Sequence, residues 1–359
     1  MTDRVRRAIE TAIQEQGPLT FAGFMEHALY GPGGFYEDPP IGEAGDFVTS
    51  PHVHPVFGQL LARALRELWD LLGRPDPWRV CEAGAGDGTL ARQLLDALAD
   101  TPVEYEAVEI SPGARRALAE VGIEHVTEEL DGPAHVVVAN ELLDNLPFRV
   151  VRDDREVRIG VEDGRLVEVL ADLDDDLAAL LPRDAPADED LLVPVGALAI
   201  VDRLAEILSP RAYAALIDYG AAGSSGGPRH GYRAHRLVED VLAAPGTADI
   251  TAGVDLSIVA SRAREAGLVA FPPVSQHDAL MALGFEGWFR EELARQHEQL
   301  DARDGIAAVR TWSGRSRASM LADPGGLGRF RWLLLARPGL PAPSWLGLPD
   351  DRPEDRTTD

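Results

Sequence analysis

A glycine-rich turn carries the residues whose types and spacing best suit ligand chemistry. Residues 80–90 read V-C-E-A-G-A-G-D-G-T-L. The glycines permit positive φ angles and let a ligand approach bare main chain. The helical pattern that follows directs unpaired N–H groups and the positive end of its dipole toward that ligand. We therefore expect a cofactor to bind at Gly84, Gly86, Gly88 and Thr89.

Glu82, two residues before the first glycine, helps to choose between two cofactor classes. Dinucleotide enzymes use G-x-G-x-x-G with a pyrophosphate on the helix end, whereas the spacing here is G-x-G-x-G. A carboxylate at this place repels phosphate and attracts a cation. S-adenosylmethionine (SAM) carries an ammonium and a sulfonium, so we expect Glu82 to hold its methionine end. A purely structural turn between a strand and a helix is the competing interpretation.

Glu109 supplies a second carboxylate at the end of the next predicted strand. Residues 103–110 alternate apolar and polar side chains, which is typical of a strand. Glu109 follows Gly84 at the distance at which a βαβ unit delivers its second strand end, where a carboxylate can accept ribose hydroxyls. This carboxylate alone does not separate SAM from a nicotinamide dinucleotide, but the glycine spacing and Glu82 favour SAM.

An α/β framework is needed to bring these residues together. The sequence predicts strands at 78–83, 103–109 and 135–140 and helices at 88–99 and 112–120. Such alternation indicates a parallel, doubly wound sheet. The third strand ends at Asn140, Glu141 and Asp144. Because ligands gather at the carboxyl ends of parallel strands, we expect these side chains in the same crevice as the glycine turn.

Four segments are expected along the chain. They are N-terminal helices with a lid loop at 1–75, a SAM-binding core at 76–220 with a hairpin and an acidic insertion at 148–195, substrate-side helices with a final strand at 221–336, and a disordered, proline-rich tail at 337–359. Within the lid loop, we expect Gly45 and Asp46 to contact the cofactor, and Ser50 to cap the next helix.

Composition limits the classes of partner. The chain has 34 Lys and Arg against 60 Asp and Glu, and its formal net charge of −26 argues against nucleic acid. The acidic surface either attracts a basic partner or only maintains solubility. Cys81 is the single cysteine, which fits a cytoplasmic setting without disulfides. We expect no signal peptide, no membrane span and no metal site.

Several motifs, taken in order, resemble those of one family. They include G-D-F-V-T-S-P (45–51), E-A-G-A-G-D-G-T-L (82–90), V-E-I-S-P (108–112), A-N-E-L-L-D-N-L-P (139–147), I-D-Y-G (217–220) and A-D-I-T-A-G-V-D-L (248–256). The ordered set resembles the MidA-like family of SAM-dependent methyltransferases. The resemblance implies a class I Rossmann-like methyltransferase fold with an N-terminal helical lid and substrate-side insertions, SAM as the cofactor, and methylation of a protein arginine. Mitochondrial members are complex I assembly factors.

With arginine as the implied substrate, Glu141 and Asp144 become the candidates for catalysis. In-line methyl transfer needs a nucleophile held about 3 Å from the methyl group. Carboxylates grip a guanidinium by bidentate hydrogen bonds, and the i, i+3 spacing places both on one side of a turn. We expect Glu141 to orient the guanidinium, Asp144 to assist or take the proton, and Asn140 to contact the cofactor. The competing interpretation is that these residues only cap or shape local backbone.

Two further functions are kept as alternatives. A small-molecule methyltransferase would use the same site with different lid contacts, and a SAM-binding assembly chaperone would bind its partner with little catalysis. A dehydrogenase is the least favoured class because of the glycine spacing. The expected partner is a protein substrate, of the respiratory complex I subunit type that the resemblance implies.

Overall fold

The computed structural model describes residues 2–37, 49–181, 190–221, 229–233 and 236–347. Its α-helices are α1 (Thr2–Gln16), α2 (Phe21–Met25), α3 (Ser50–Val53), α4 (Val56–Leu71), α5 (Thr89–Ala97), α6 (Pro112–Glu120), α7 (Asp175–Leu180), α8 (Val195–Ile207), α9 (Leu256–Glu265), α10 (Gln276–Ala282), α11 (Phe285–Asp301) and α12 (Gly305–Ser319). Among the helices of these ranges, none is both long and apolar enough to cross a lipid bilayer.

The β-strands form one large sheet and several smaller ones. They are β1 (Leu19–Thr20), β2 (Trp78–Ala83), β3 (Val103–Val108), β4 (Val126–Thr127), β5 (Ala134–Asn140), β6 (Arg149–Arg152), β7 (Arg155–Glu162), β8 (Arg165–Ala171), β9 (Leu191–Val193), β10 (Leu208–Asp218), β11 (Gly220–Ala221), β12 (His230–Arg233), β13 (Arg236–Val238), β14 (Asp249–Thr251), β15 (Val254–Asp255), β16 (Val269–Ala270), β17 (Val274–Ser275) and β18 (Arg331–Ala336). A 3-10 turn (Leu143–Asn145) follows β5.

The large sheet has the strand order β16-β18-β10-β5-β2-β3-β4, with β17 also paired to β18. Neighbouring strands from β10 to β4 are parallel, and β18 runs antiparallel to β10. This arrangement confirms the predicted parallel, doubly wound core. The chain leaves β2 toward β3 on one side and returns to β5 on the other, which creates the switch point where ligands bind in open α/β sheets.

Strand β5 shows why both faces of this sheet are covered. Val136 and Val138 belong to the core cluster that α4 and α5 complete. Val137 and Ala139 point to the opposite face and belong to the cluster that α8 and α9 complete. The period-2 alternation of a strand thus supplies two cores from one apolar run. Full burial of each such valine contributes ~1.5–3 kcal/mol.

A second, antiparallel sheet has the order β1-β7-β6-β9, with β8 paired to β7. The predicted hairpin is therefore a three-strand meander, β6-β7-β8, with tight turns at 153–154 and 163–164. Strand β1 and the distant β9 extend it. The N-terminal helices pack against this sheet, and the stacked rings of Phe21 and Phe148 lie 5.2 Å apart.

The prediction of a disordered tail is wrong for residues 337–347. Trp345 is 3% exposed, and its ring meets that of Trp332 edge-on at 5.5 Å. Leu340 is buried in the same core cluster. The prolines of this segment suggested disorder, but its few large apolar side chains are enough to anchor it. Residues 348–359 lie outside the described ranges.

Candidate active site

The glycine turn connects β2 to α5 and has the left-handed backbone that its sequence predicts. The φ angle is +73° at Gly84, +56° at Gly86 and +82° at Gly88. A β-carbon at Gly84 would lie 2.8 Å from Leu142 Cδ1, and one at Gly88 would lie 2.9 Å from Leu118 Cδ2. Both the backbone conformation and the close packing therefore require glycine at these two positions.

The turn forms one wall of a cavity of about 790 Å³ at the carboxyl ends of β2, β3 and β5. This volume is typical of a site for a small molecule. Predicted site residues among its lining are Glu82, Gly84, Gly86, Thr89, Glu109, Asn140, Glu141 and Asp144. Gly88 stands behind them as the N-cap of α5. Gly45 and Asp46 lie outside the described residues.

Glu109 follows β3 and joins two loops that border the cavity. Its Oε2 accepts a hydrogen bond from the Gly86 N–H (2.9 Å), and its Oε1 accepts one from the Ser111 N–H (2.8 Å). Burial raises the pKa of this carboxyl, while the two N–H donors act in the opposite direction. A carboxylate has about four lone-pair sites, so both oxygens can still accept hydrogen bonds from ribose hydroxyls.

Glu82 lies in β2 and is 3% exposed. The Tyr105 hydroxyl of the neighbouring strand donates a hydrogen bond to its Oε2. Burial raises the pKa of Glu82 to about 8, although the Tyr105 hydrogen bond lowers it. An ammonium group beside Glu82 would favour the charged carboxylate. This environment fits the methionine end of SAM.

Glu141 follows β5 with a φ angle of +52°. Non-glycine residues seldom adopt this conformation, and those that do are concentrated at functional sites. Its Oε1 accepts hydrogen bonds from the Ser50 N–H (2.6 Å) and from Asn140 Nδ2 (3.4 Å). Burial raises the pKa of Glu141 to about 7, whereas the hydrogen bonds from Ser50 lower it. The carboxylate thus links the start of α3 to the cavity.

Asp144 lies in the 3-10 turn and forms hydrogen bonds with residues of two strands, β14 and β10. The Thr251 hydroxyl of β14 donates to Asp144 Oδ2 over 2.7 Å. Asp218 ends β10 and accepts hydrogen bonds from the N–H groups of Leu143 (2.6 Å) and Asp144 (3.4 Å). Burial raises the pKa of both carboxyls, and the charge of Asp144 adds to the shift at Asp218. Asp218 therefore shapes the turn that carries Asp144.

Within the described part of the chain, two buried acceptor atoms at the cavity have no donor. Asn140 Oδ1 and Asp144 Oδ1 receive no hydrogen bond from any residue that the structure describes. A buried polar atom without a partner costs about 1–3 kcal/mol, and a ligand with N–H donors would remove that cost. The arrangement on this side of the cavity therefore suits a cationic, donor-rich group.

A hydrogen-bonded chain that the sequence did not predict lies beside the glycine turn. His52 Nδ1 lies 2.8 Å from Thr49 Oγ1, and His52 Nε2 lies 2.9 Å from Asp87 Oδ2. Burial raises the pKa of Asp87, but its hydrogen bonds with His52 and Thr89 outweigh this effect and lower it. The position of His52 directly after the 45–51 motif was the signal that could have indicated it.

A second missed group lies across the cavity. The rings of Tyr30 and Tyr36 are stacked 5.4 Å apart. The Tyr36 hydroxyl donates to Asp249 Oδ1 over 2.8 Å, and Asn145 Nδ2 donates to Asp249 Oδ2 over 2.7 Å. Burial raises the pKa of Asp249 to about 7, and the charge of Asp144 adds to this. The 248–256 motif contains Asp249, although its spacing indicates no chemistry.

Comparisons with known proteins agree with this geometry. A family model for S-adenosyl-L-methionine-dependent methyltransferases matches residues 60–274. The chain is 30% identical over 325 residues to "Protein arginine methyltransferase NDUFAF7, mitochondrial" of Xenopus laevis, covering 76% of this chain and 72% of that protein. The Homo sapiens protein of the same name is 28% identical, with 80% of this chain and 74% of the relative covered.

A solved structure is similar over almost its full length. It is a COG1565 superfamily member from Burkholderia thailandensis bound to S-adenosyl-homocysteine, with a TM-score of 0.81 and 26% identity, covering 95% of this chain and 93% of that one. These matches confirm the predicted Rossmann-like methyltransferase fold, the resemblance to the MidA-like family and SAM as the cofactor. The chain belongs to the family of SAM-dependent methyltransferases that the model for residues 60–274 describes.

Proposed function

We propose that this methyltransferase modifies arginine side chains of a protein by in-line methyl transfer. The observation that carries the proposal is the acceptor-rich side of the cavity, where Glu141 and Asp144 lie and where Asp144 Oδ1 has no donor among the described residues. A guanidinium has five N–H donors and no acceptor, so it complements this wall. The names of the curated relatives, protein arginine methyltransferases, support the same substrate class.

The residues around the glycine turn fit SAM on three counts. Glu109 has lone pairs left for ribose hydroxyls, Glu82 offers a buried acceptor for the ammonium group, and Asn140 Oδ1 has no donor among the residues that the structure describes. When bound, SAM supplies an electrophilic methyl group on a sulfonium, and its transfer leaves a neutral thioether. Glu82, Glu109 and Asn140 would therefore fix the cofactor while the opposite wall receives the nucleophile.

Glu141 and Asp144 would hold the plane of the guanidinium so that one nitrogen faces the methyl group. Paired charge-assisted hydrogen bonds to a carboxylate give this geometric control. The attacking nitrogen must lose one proton as it forms its bond to carbon. Glu141, with a pKa of about 7, is suited to receive a proton near neutral pH, and Asp144 supplies the second negative charge.

The acceptor class can be identified with tritiated SAM and fractionated cell lysate. The proposal expects label in a protein band, and a purified complex I subunit is the first defined protein to test, since the family resemblance implies it. Label found only in small molecules would show that the substrate is a metabolite and not a protein. Binding of SAM without transfer to any fraction would favour an assembly chaperone.

A further inference from the structure

Strand β14 lies against the 3-10 turn that contains Asp144. It pairs with β12 in a small antiparallel sheet, and Ile250 is buried in the core formed with the N-terminal helices. Asp249 and Thr251 flank Ile250 in the strand and therefore share the opposite face. That face meets the turn that follows β5.

Three hydrogen bonds join β14 and its continuation to this turn. The Thr251 hydroxyl donates to Asp144 Oδ2 over 2.7 Å, and the Ala252 N–H donates to the Asp144 carbonyl oxygen over 3.1 Å. Asn145 Nδ2 donates to Asp249 Oδ2 over 2.7 Å. The Ala252 contact is to the backbone of Asp144, and the Asn145 contact is to Asp249. Only the Thr251 hydroxyl, among these three donors, contacts the Asp144 carboxylate itself.

We propose that Thr251 is a positioning residue for methyl transfer, whose hydroxyl holds the Asp144 carboxylate in the orientation that receives the substrate nitrogen. The inference rests on the proposed role of Asp144. With Oδ2 fixed by Thr251, the rotation of the carboxylate is restricted. Oδ1, which takes no hydrogen bond from the described residues, is then available to the substrate.

The same hydrogen bond affects the charge of Asp144. Burial raises the pKa of Asp144, and the Thr251 hydroxyl lowers it. The titratable groups that face Asp144 from neighbouring elements are Glu141, Asp218, Asp249, Tyr30 and Tyr36. None of these groups carries a positive charge, and among them Asp218 lowers the pKa of Asp144 through a side-chain hydrogen bond. Loss of the hydroxyl should therefore raise the pKa of Asp144.

The test compares Thr251→Val, which keeps the shape of the side chain, with Thr251→Ser, which keeps the hydroxyl. We expect kcat of Thr251→Val to fall roughly 10–100-fold, as for loss of a hydrogen bond to a charged group, with affinity for S-adenosylhomocysteine unchanged. The acidic limb of its kcat profile should move to higher pH, because activity needs the ionised carboxylate. Thr251→Ser should have the kcat of wild type and an acidic limb at the wild-type pH.

Thr247→Val is a matched control. Thr247 is also partly buried, but its hydroxyl donates to the carbonyl oxygen of Ala244 over 2.7 Å rather than to the turn. Its kcat should stay within about 2-fold of wild type. Should Thr251→Val fail to fold, Thr251→Ala removes the hydroxyl without adding bulk and replaces it in the comparison.

Thr251→Val with wild-type kcat and pH profile would overturn the inference, and so would Thr251→Ser as slow as Thr251→Val. The arginine proposal is decided separately by the product of the wild-type enzyme. If the wild type methylates a nucleophile other than arginine, the substrate proposal fails, and the Thr251 comparison is made on that product instead.

Discussion

The carboxylate of Glu141 accepts a hydrogen bond from the backbone N–H of Ser50 over 2.6 Å. Ser50 is fully buried at the start of α3, so the candidate catalytic acid is also a contact between the N-terminal segment and the end of β5. Any variant of Glu141 must therefore separate its chemical role from this structural one.

Glu141→Gln makes that separation. The glutamine oxygen can still accept the Ser50 N–H, but the negative charge that would grip a guanidinium and take its proton is lost. We expect methyl transfer to fall at least about 100-fold, while the variant still folds and binds S-adenosylhomocysteine with wild-type affinity. Glu129→Gln, at an exposed acid, is the control. Full activity of Glu141→Gln would remove the residue from the mechanism.

Glu109→Gln should weaken binding of S-adenosylhomocysteine roughly 10–100-fold, since hydrogen bonds to a charged group are lost. Glutamine has one acceptor oxygen, whereas the carboxylate serves two N–H groups and is proposed to serve the ribose as well. Titration calorimetry measures the change. Glu104→Gln, at an exposed acid on the strand that precedes Glu109, should bind as wild type does. Equal affinity of the Glu109 and Glu104 variants would disprove the assignment.

Gly88→Ala tests the packing of the glycine turn, and Gly122→Ala is its matched control. The φ angle is +82° at Gly88 and +83° at Gly122. A β-carbon at Gly88 would lie 2.9 Å from both Leu118 and Val121, whereas one at Gly122 would have no described atom within 4 Å. Backbone strain costs each variant about 1 kcal/mol, and overpacking adds about 1–3 kcal/mol at Gly88. Urea unfolding gives the two free energies. An equal decrease in the free energy of unfolding of both variants would show that the close packing at Gly88 has no effect.

The stability of the ligand-free protein should depend on pH through its buried acids. Burial raises the pKa of Glu82 from 4.5 to about 8, and raises that of Glu141 and Asp249 to about 7. The native state then binds more protons than the unfolded state between about pH 4.5 and 8, so the free energy of unfolding should fall as pH rises.

Denaturant unfolding across this range provides the measurement. Glu82→Gln should show a shallower slope than wild type, because one raised pKa is removed. The lowered pKa of Asp87 gives the opposite slope only at more acidic pH. A free energy of unfolding that increases from pH 5 to pH 8, or an unchanged slope in Glu82→Gln, is incompatible with the raised pKa values.

Trp345→Ala should destabilise the protein by about 3–5 kcal/mol, as other large-to-small core changes do. Its ring is buried against Trp332 although it follows the last strand by several residues. Trp312 is 53% exposed, and Trp312→Ala should change stability by less than about 0.5 kcal/mol. Thermal unfolding of both variants decides whether the segment at 337–347 is part of the fold.

Local patterns predicted the core of this fold well. The parallel sheet follows from the alternation of apolar strands and helices, and the glycine turn follows from three closely spaced glycines whose backbone needs them. By contrast, the second sheet joins β1 and β9 to a meander, and the docked segment at 337–347 depends on a core built by distant residues. No periodicity in either segment indicates those partners.

The site residues also differ in how well local patterns predict them and their partners. Strand ends placed Glu82, Glu109 and Glu141 at one cavity, as the βαβ pattern predicts. Some hydrogen-bond donors that lower the pKa values of the site carboxyls come from far along the chain. Ser50 donates to Glu141, and Thr251 donates to Asp144. Such contacts arise only when separate elements pack, so spacing in the sequence carries no signal for them.

The central claim is that the chain transfers a methyl group from SAM to a protein arginine with the help of Glu141. Acid hydrolysis of the labelled acceptor protein, followed by amino-acid analysis, tests it most directly. The account predicts labelled methylarginine from the wild-type reaction and at least about 100-fold less from Glu141→Gln. Label recovered on another amino acid, or equal methylarginine from both enzymes, would contradict it.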